Sequence, residues 1–341
     1  MQSSQPRRLV PAIALLAALI GVALISVQTS LASTRLPANV NGKHVMWGKG
    51  QGYPTSQQVS ANNLIYHGGL VETVPSVYLV YWGTEWQQGF SFTAGSFTYT
   101  QATVQTYVNS FFNNVGGSPW AGVQTQFCQG IPIASFSCAG QASAQFITNP
   151  TGQLKGTWTD PSAVPANIVT TGLVENQTND PLEAEAIAAA AHFGYDVNAT
   201  YFILTPPGHA ATAYGTVYCA YHSETGHVTG HGVRYAFMPY VPEQGAGCGT
   251  NSVNKSNNAF GNGYLDGYSI VAGHEYAEAV TDPDNQMGTQ DGWNDVQTSE
   301  NGDKCAWTAL QNISLGGSNY AVQPLWSNEA NSGQGACAVT R

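Results

Sequence analysis

The sequence predicts a single α+β domain with a mixed sheet, stabilised by disulfides and preceded by a signal peptide. Apolar residues make up 43% of the 341-residue chain, which suffices for a core and excludes a wholly disordered protein. Six cysteines follow an apolar N-terminal run. The segments after that run are typical of both strands and helices, and they contain no repeat and no proline-rich linker. Charged residues are only 9%, which excludes coiled coils and long charged helices.

The N-terminal segment 1–32 has the pattern of a secretory signal peptide. Arg7 and Arg8 precede an apolar run over 9–27, and small residues over 30–32 suit cleavage. The run is about as long as a membrane-spanning helix, so an uncleaved N-terminal anchor is the alternative. We expect a secreted, extracellular protein that has no membrane contact once the signal is removed.

The cysteine count agrees with export. The cysteines are Cys128, Cys138, Cys219, Cys248, Cys305 and Cys337. An even number behind a signal sequence indicates disulfides, and closeness along the chain favours the pairs 128–138, 219–248 and 305–337. A zinc–thiolate site is the rival interpretation, but the sequence contains no C-x-x-C.

The first part of the mature chain predicts a tail, a strand and a helix. Residues 33–62 are rich in Gly, Ser, Asn and Gln, and we expect a flexible tail there, followed by the domain over 63–341. The β-rich apolar run over 76–82 ends at Gly83 and predicts a buried strand. Apolar residues recur at helical spacing over 100–115, which predicts an amphipathic helix.

The middle of the chain predicts a hairpin, a second helix and three strands. Residues 120–147 are expected to form a hairpin pair closed by the Cys128–Cys138 bridge. A helix begins at Pro181, with Asp180 as its cap, and ends before Gly194. Strands are expected over 201–204, 216–221 and 233–240.

A third helix is predicted from Asp266 to Thr281, after a loop over 243–263. Pro283 ends this helix. The remainder, 284–341, is expected to be rich in loops.

The third helix carries the sequence His274-Glu275-Tyr276-Ala277-Glu278. His274 and Glu278 are four residues apart, so they lie on one face of the helix. In zincins, H-E-x-x-H presents two metal ligands on such a face and a glutamate as general base. Glu278 replaces the second histidine, and zinc accepts carboxylate oxygen. The pattern predicts a zincin-like active-site helix, with zinc on His274 and Glu278 and with Glu275 as catalytic base. The alternative is two solvated acids and one histidine on an amphipathic helix.

A third metal ligand is expected downstream, and Glu300 is the first choice. The competing residues are Asp282, Asp295 and Asp303. A neutral set of His274, Glu278 and Glu300 would weaken the Lewis acidity of the ion, which makes calcium an alternative to zinc. His222, in the sequence C-A-Y-H, is a further possible site residue.

Several stretches carry a family resemblance. They are Tyr66–Gly69, Val77–Gly83, Cys219–His222, Val233–Phe237, the block Gly273–Pro283, Gly292–Trp293 and Glu300–Cys305. Together they resemble the phosphate-induced protein 1 / EXORDIUM-like family of secreted proteins, especially its bacterial members, over about residues 62–310. The resemblance implies an extracellular or cell-wall-associated protein, and it supplies no reaction.

Two functions follow as hypotheses. The first is a secreted metal-dependent hydrolase, peptidase-like, in which zinc activates a water and a glutamate acts as base on an extracellular polypeptide. The second is a non-catalytic extracellular or cell-wall-associated protein of the EXORDIUM-like type that binds a wall polymer or takes part in signalling. The formal net charge of −10 argues against a nucleic-acid partner. No G-x-S-x-G or phosphate-binding loop is present, whereas a carboxylate pair for glycoside hydrolysis stays open.

Overall fold

A mixed β-sheet forms the centre of the protein in the computed structural model. Its seven strands are β1 (Asn39–Val40), β2 (Lys43–Trp47), β3 (Ser76–Trp82), β4 (Leu154–Asp160), β5 (Ala199–Leu204), β6 (Tyr218–Glu224) and β7 (Arg234–Met238). The order across the sheet is β1-β2-β6-β7-β5-β3-β4. Strands β7, β5, β3 and β4 run parallel, while β6 runs antiparallel to both β7 and β2. The predicted combination of helices, strands and a mixed sheet is confirmed.

The structure describes residues 39–40, 43–51, 63–169, 180–225, 232–255, 263–284 and 291–341. The predicted signal over 1–32 lies outside these ranges. Within them, no helix has both the length and the apolar character needed to cross a bilayer. Contacts group Arg35–Arg341 into one compact unit.

Three longer helices occupy the predicted positions. They are α1 (Gln101–Val115), α2 (Pro181–Phe193) and α3 (Asp266–Thr281). The side chain of Thr100 accepts a hydrogen bond from the Thr103 N–H and caps α1. Asp180 caps α2 by accepting from the Leu182 N–H at 3.0 Å. Gly194, with a φ of 95°, ends α2 in a conformation that favours glycine.

The helices lie on both faces of the sheet. Phe112 of α1 packs on Phe202 of β5 with ring centroids 4.7 Å apart, and on Tyr276 of α3 at 6.2 Å. Tyr201 precedes Phe202 and therefore points to the opposite face. Its hydroxyl donates to the carbonyl of Gly194 at the end of α2. Helices α1 and α3 thus share one face, and α2 covers the other.

The N-terminal segment differs from the prediction of a flexible tail over 33–62. Strand β2 lies within this segment, is buried, and pairs with β6 in the central sheet. The buried charge of Lys43 is compensated, because its ammonium lies 3.2 Å from Asp180 and 3.2 Å from the Tyr235 hydroxyl. In the sequence, a lysine and a histidine at the start of β2 suggest a solvent-exposed segment. The partners that allow both side chains to be buried lie far along the chain.

One further region differs from the sequence-based expectation, and another adds short elements to it. The segment 120–147 begins with helical turns, Pro119–Gly122 and Val123–Gln126, and only Cys128–Gln129 pairs with Gln145–Phe146. The C-terminal region 284–341 is rich in loops as expected, and it also contains two hairpins. They are β8 (Gln311–Leu315) with β9 (Ser318–Val322), and β10 (Leu325–Ser327) with β11 (Ala336–Ala338). The first turns at Gly316 and Gly317, whose φ values of 56° and 82° suit a two-residue hairpin turn.

The smaller elements complete the described part of the chain. Short pairings join Ile65–Tyr66 to Trp293–Asn294, Ser91–Ala94 to Phe97–Thr100, and Asn167–Ile168 to Ala210–Ala211. Short helical segments are Glu85–Gln88, Val241–Cys248, Asp303–Cys305 and Ala330–Gly333. Val241–Cys248 falls at the start of the segment where a loop was expected.

All three predicted disulfides are confirmed. Cys128 bonds to Cys138, Cys219 to Cys248, and Cys305 to Cys337. Cys219 lies on β6 and Cys337 on β11, so two of the bridges tie sheet strands to the segments beside α3. Three disulfides are typical of proteins that work in an oxidising compartment.

The length of the loop that a disulfide closes predicts how much the disulfide contributes to stability. Cys305–Cys337 spans 32 residues and Cys128–Cys138 spans 10. We expect the double substitution Cys305→Ser, Cys337→Ser to lower the free energy of unfolding by about 1 kcal/mol more than Cys128→Ser, Cys138→Ser, because longer loops restrict the unfolded chain more. Urea unfolding of both variants measures this, and an equal or reversed loss contradicts it.

Candidate metal centre

Helix α3 carries its acidic and histidine side chains into the protein interior. All sixteen of its residues are buried, and His274, Glu275 and Glu278 are 0%, 0% and 1% exposed. The alternative of solvated acids on an amphipathic helix is therefore wrong. Burial lowers the pKa of His274 to about 4 and raises that of Glu278 to about 8.

One group of ligand-type atoms comes from α3 and from Asp303, which lies in the segment after residues 293–294. His274 Nε2 lies 3.0 Å from Glu278 Oε1 and 3.7 Å from Asp303 Oδ1. The backbone N–H of Asp303 donates to Glu278 Oε1 at 2.8 Å, which fixes the carboxylate against the segment. Ligand atoms of these three residues lie within 4.8 Å of one another, so they could hold one metal ion.

A second group centres on His222 of β6. Its Nδ1 lies 3.2 Å from Glu275 Oε2 and 3.8 Å from Glu278 Oε2. Its Nε2 lies 3.3 Å from the backbone carbonyl oxygen of Asp282. A carbonyl only accepts, so this contact places the ring proton on Nε2 and directs the Nδ1 lone pair toward the two carboxylates. Metal-bound histidines commonly donate their other N–H to a carbonyl in this way.

A third group adds a histidine that the sequence analysis missed. His44 of β2 is the cross-strand partner of His222, and the two ring centroids lie 5.2 Å apart. His44 Nδ1 contacts Glu300 Oε2, and His222 Nε2 lies 3.7 Å from Glu300 Oε1. Burial lowers the pKa of His44 to about 4. These three residues also have ligand atoms within 4.8 Å of one another.

The chemistry of this buried cluster fits a cation. Among the described residues, four of its buried atoms have no hydrogen-bond partner: His274 Nε2, Glu275 Oε1, Glu278 Oε2 and Glu300 Oε1. An uncompensated buried carboxylate costs several kcal/mol. The nearby lysine, Lys304, pairs instead with Asp295 at 2.8 Å. Imidazole and carboxylate are ligands that zinc and other divalent transition metals accept.

Burial also shifts the pKa values of the remaining acids in the cluster. It raises the pKa of Glu275, Glu300 and Asp303 well above the ordinary values. The charge of Glu278 raises all three further. A bound cation acts in the opposite direction, because it favours the ionised carboxylates.

The structure separates the predicted site residues into two sets. His274, Glu275, Glu278 and Glu300 all lie in the cluster, as do His222 and Asp303. Asp303, not Glu300, shares a group with His274 and Glu278. The other two acids shape loops: Asp282 accepts from the Gly292 N–H at 2.6 Å, and Asp295 from the Ser299 N–H at 3.0 Å.

His44 escaped detection because it lies in the segment where a tail was expected. The available signal was the alternation in Lys43–Trp47, where Val45 and Trp47 share one face of the strand and His44 the other. The histidine becomes informative only once β2 is placed beside β6.

Similarity to known proteins does not identify the chain. No family model, no curated protein and no solved structure matches it. The resemblance to the phosphate-induced protein 1 / EXORDIUM-like family therefore stays a prediction.

The segment that carries Glu300 and Asp303 packs closely on α3 at Gly302. A Cβ at this position would lie 2.9 Å from Glu278 Oε1 and 2.9 Å from His274 Nδ1. The Gly302 carbonyl accepts from Gln323 Nε2 at 2.7 Å, and the same nitrogen lies 3.1 Å from His274 Nδ1. Glycine at 302 thus allows the segment to approach both side chains.

Gly302→Ala tests this close approach. Its φ of −74° suits any residue, so the added methyl acts through contact alone. We expect a loss of about 1–3 kcal/mol in the free energy of unfolding and weaker binding of added zinc. Gly247→Ala is the matched control, because a Cβ at 247 meets no atom within 4 Å. Thermal unfolding and zinc titration measure both effects, and equal behaviour of the two variants contradicts the packing argument.

Proposed function

We propose that this protein is a secreted metal-dependent hydrolase with a peptidase-like site and zinc as its metal. The observation that supports this best is the convergence of His274, Glu278 and Asp303 within 4.8 Å, deep in the protein. Glu278 Oε1 lies 3.0 Å from His274 Nε2, but within the described part of the chain this nitrogen makes no hydrogen bond of suitable geometry. Three protein ligands are the number that catalytic zinc sites use, because one position stays open for water.

The chain's own residues supply distinct roles in this proposal. His274, Glu278 and Asp303 would hold the ion, which when bound supplies Lewis acidity and lowers the pKa of a coordinated water. Glu275 would take up a proton at Oε1, which is buried and has no hydrogen-bond partner. Its other oxygen, Oε2, lies 3.2 Å from His222 Nδ1.

The proposed location and substrate rest on separate observations. The three disulfides and the signal-like segment 1–32 favour export. In that location, a polypeptide outside the cell is the substrate class that suits a zincin-like helix.

A second candidate function follows from the burial of the ligands. His274, Glu275 and Glu300 are each 0% exposed, and His44, the most exposed histidine of the cluster, reaches 5%. Closed surroundings are typical of structural metal sites. This favours a non-catalytic extracellular protein, of the EXORDIUM-like type, whose metal stabilises the fold while another surface binds a partner or wall polymer.

Both candidate functions require a metal ion bound by the cluster, and metal analysis of the purified full-length chain tests this. We expect bound zinc in the wild type and loss of at least one equivalent in His274→Ala, because the substitution removes a ligand. His192→Ala is the control, since His192 lies on α2 and stacks on Trp158 at 4.3 Å. A metal-free wild type, tested after zinc loading, refutes both versions.

Glu275→Gln separates the two functions. The amide keeps the shape of the side chain but cannot act as the base, so we expect zinc to stay bound and hydrolysis of a peptide library to fall by about 100-fold or more. Glu329→Gln serves as control, because Glu329 is half exposed and pairs with Arg341. Zinc binding without hydrolysis by the wild type supports the non-catalytic function instead.

A further inference from the structure

The buried cluster holds more ligands than one ion can use. Seven side chains take part: His44, His222, His274, Glu275, Glu278, Glu300 and Asp303. Zinc in proteins is usually four-coordinate, and catalytic sites take three protein ligands. An ion on His274, Glu278 and Asp303 therefore leaves the remaining residues without a cation.

Three of the four remaining residues form a group of their own. His44, His222 and Glu300 have ligand atoms within 4.8 Å of one another and share no member with the group of His274, Glu278 and Asp303. Glu300 is 0% exposed, and its Oε1 lies 3.7 Å from His222 Nε2 without a hydrogen-bond partner among the described residues. This orphaned oxygen indicates a ligand in the second group as well.

Glu278 lies between the two groups. Its Oε1 is 3.0 Å from His274 Nε2, and its Oε2 is 3.8 Å from His222 Nδ1. One oxygen thus faces each group, which is the position of a carboxylate that bridges two ions. Glu275 reaches the same side through Oε2, at 3.2 Å from His222 Nδ1.

Strand pairing positions the backbone around the second group. His44 and His222 sit opposite each other on paired strands in the sheet interior, so their separation is set by the register of β2 and β6. The Asp282 carbonyl accepts from His222 Nε2 and fixes the ring, which leaves Nδ1 as the nitrogen that would bind the ion. Such support from a carbonyl is typical of metal-bound imidazoles.

We infer that the protein binds two divalent transition-metal ions. One is held by His274, Glu278 and Asp303, the other by His44, His222 and Glu300, with Glu278 between them. The inference rests on the proposed function for its first ion and adds a second one. Paired ions of this kind occur in hydrolases of esters and amides, where they stabilise the attacking and leaving groups together.

Native mass spectrometry of the full chain tests the inference. The protein is stripped with a chelator, reloaded with zinc and freed of excess metal. We expect two zinc ions in the wild type and one in each of His44→Asn and Glu300→Gln. His192→Asn is the matched control and should keep two. Glu300→Gln preserves the shape of the side chain, so it provides the test if His44→Asn does not fold.

The outcomes distinguish the two proposals. Two ions in the wild type and one in Glu300→Gln support the inference. One ion in the wild type that is lost in His274→Ala and retained in Glu300→Gln overturns the second site and leaves the proposed function standing. One ion that is retained in His274→Ala and lost in Glu300→Gln overturns the first ligand assignment and the two-ion inference, and it would leave the second group as the single metal site. No ion at all overturns both proposals.

Discussion

The structure depends on how four carboxylates and three imidazoles are kept together in an interior that excludes water. Glu275, Glu278, Glu300 and Asp303 are each at most 3% exposed, and no hydrogen bond satisfies several of their oxygens. Groups of this kind destabilise a fold unless protons or cations compensate them. Three parts of the fold bring these groups together. They are the fully buried helix α3, the strands β2 and β6 that each contribute one histidine, and the tightly packed segment that carries Glu300 and Asp303.

The elements that bring these groups together are held by contacts remote from them. Strand β2 is anchored by Lys43, which pairs with Asp180 at the start of α2 on the other face of the sheet. The segment that carries Glu300 and Asp303 is anchored by Cys305–Cys337 and by Lys304, whose ammonium also lies 4.4 Å from the Trp326 ring centroid. Rigid support matters because a metal group tolerates only small displacements of its ligands. These buried polar contacts therefore help to hold the ligand residues in position.

Much of the fold could be predicted from local sequence signals. Helix α2 was recognisable from Asp180, Pro181 and Gly194, and the disulfide pairs from their closeness along the chain. Strand β2 and the C-terminal hairpins were not, because their pairing partners are distant or their apolar alternation is short. The first half of the site was recognisable, since His274 and Glu278 share a helix turn. His44 was not, because its partner Glu300 lies 256 residues further along.

The sequence by itself determined the helix that carries His274, Glu275 and Glu278, since helical periodicity sets which residues share a face. It also favoured the disulfide pairs that the structure contains, and it predicted the strands rich in branched and aromatic residues. Only the tertiary structure decided that this helix is buried on every side, that Asp303 joins His274 and that Glu300 joins two histidines. The physical reason is that ligand groups form through distances across the sheet and between segments, and no local pattern encodes those distances.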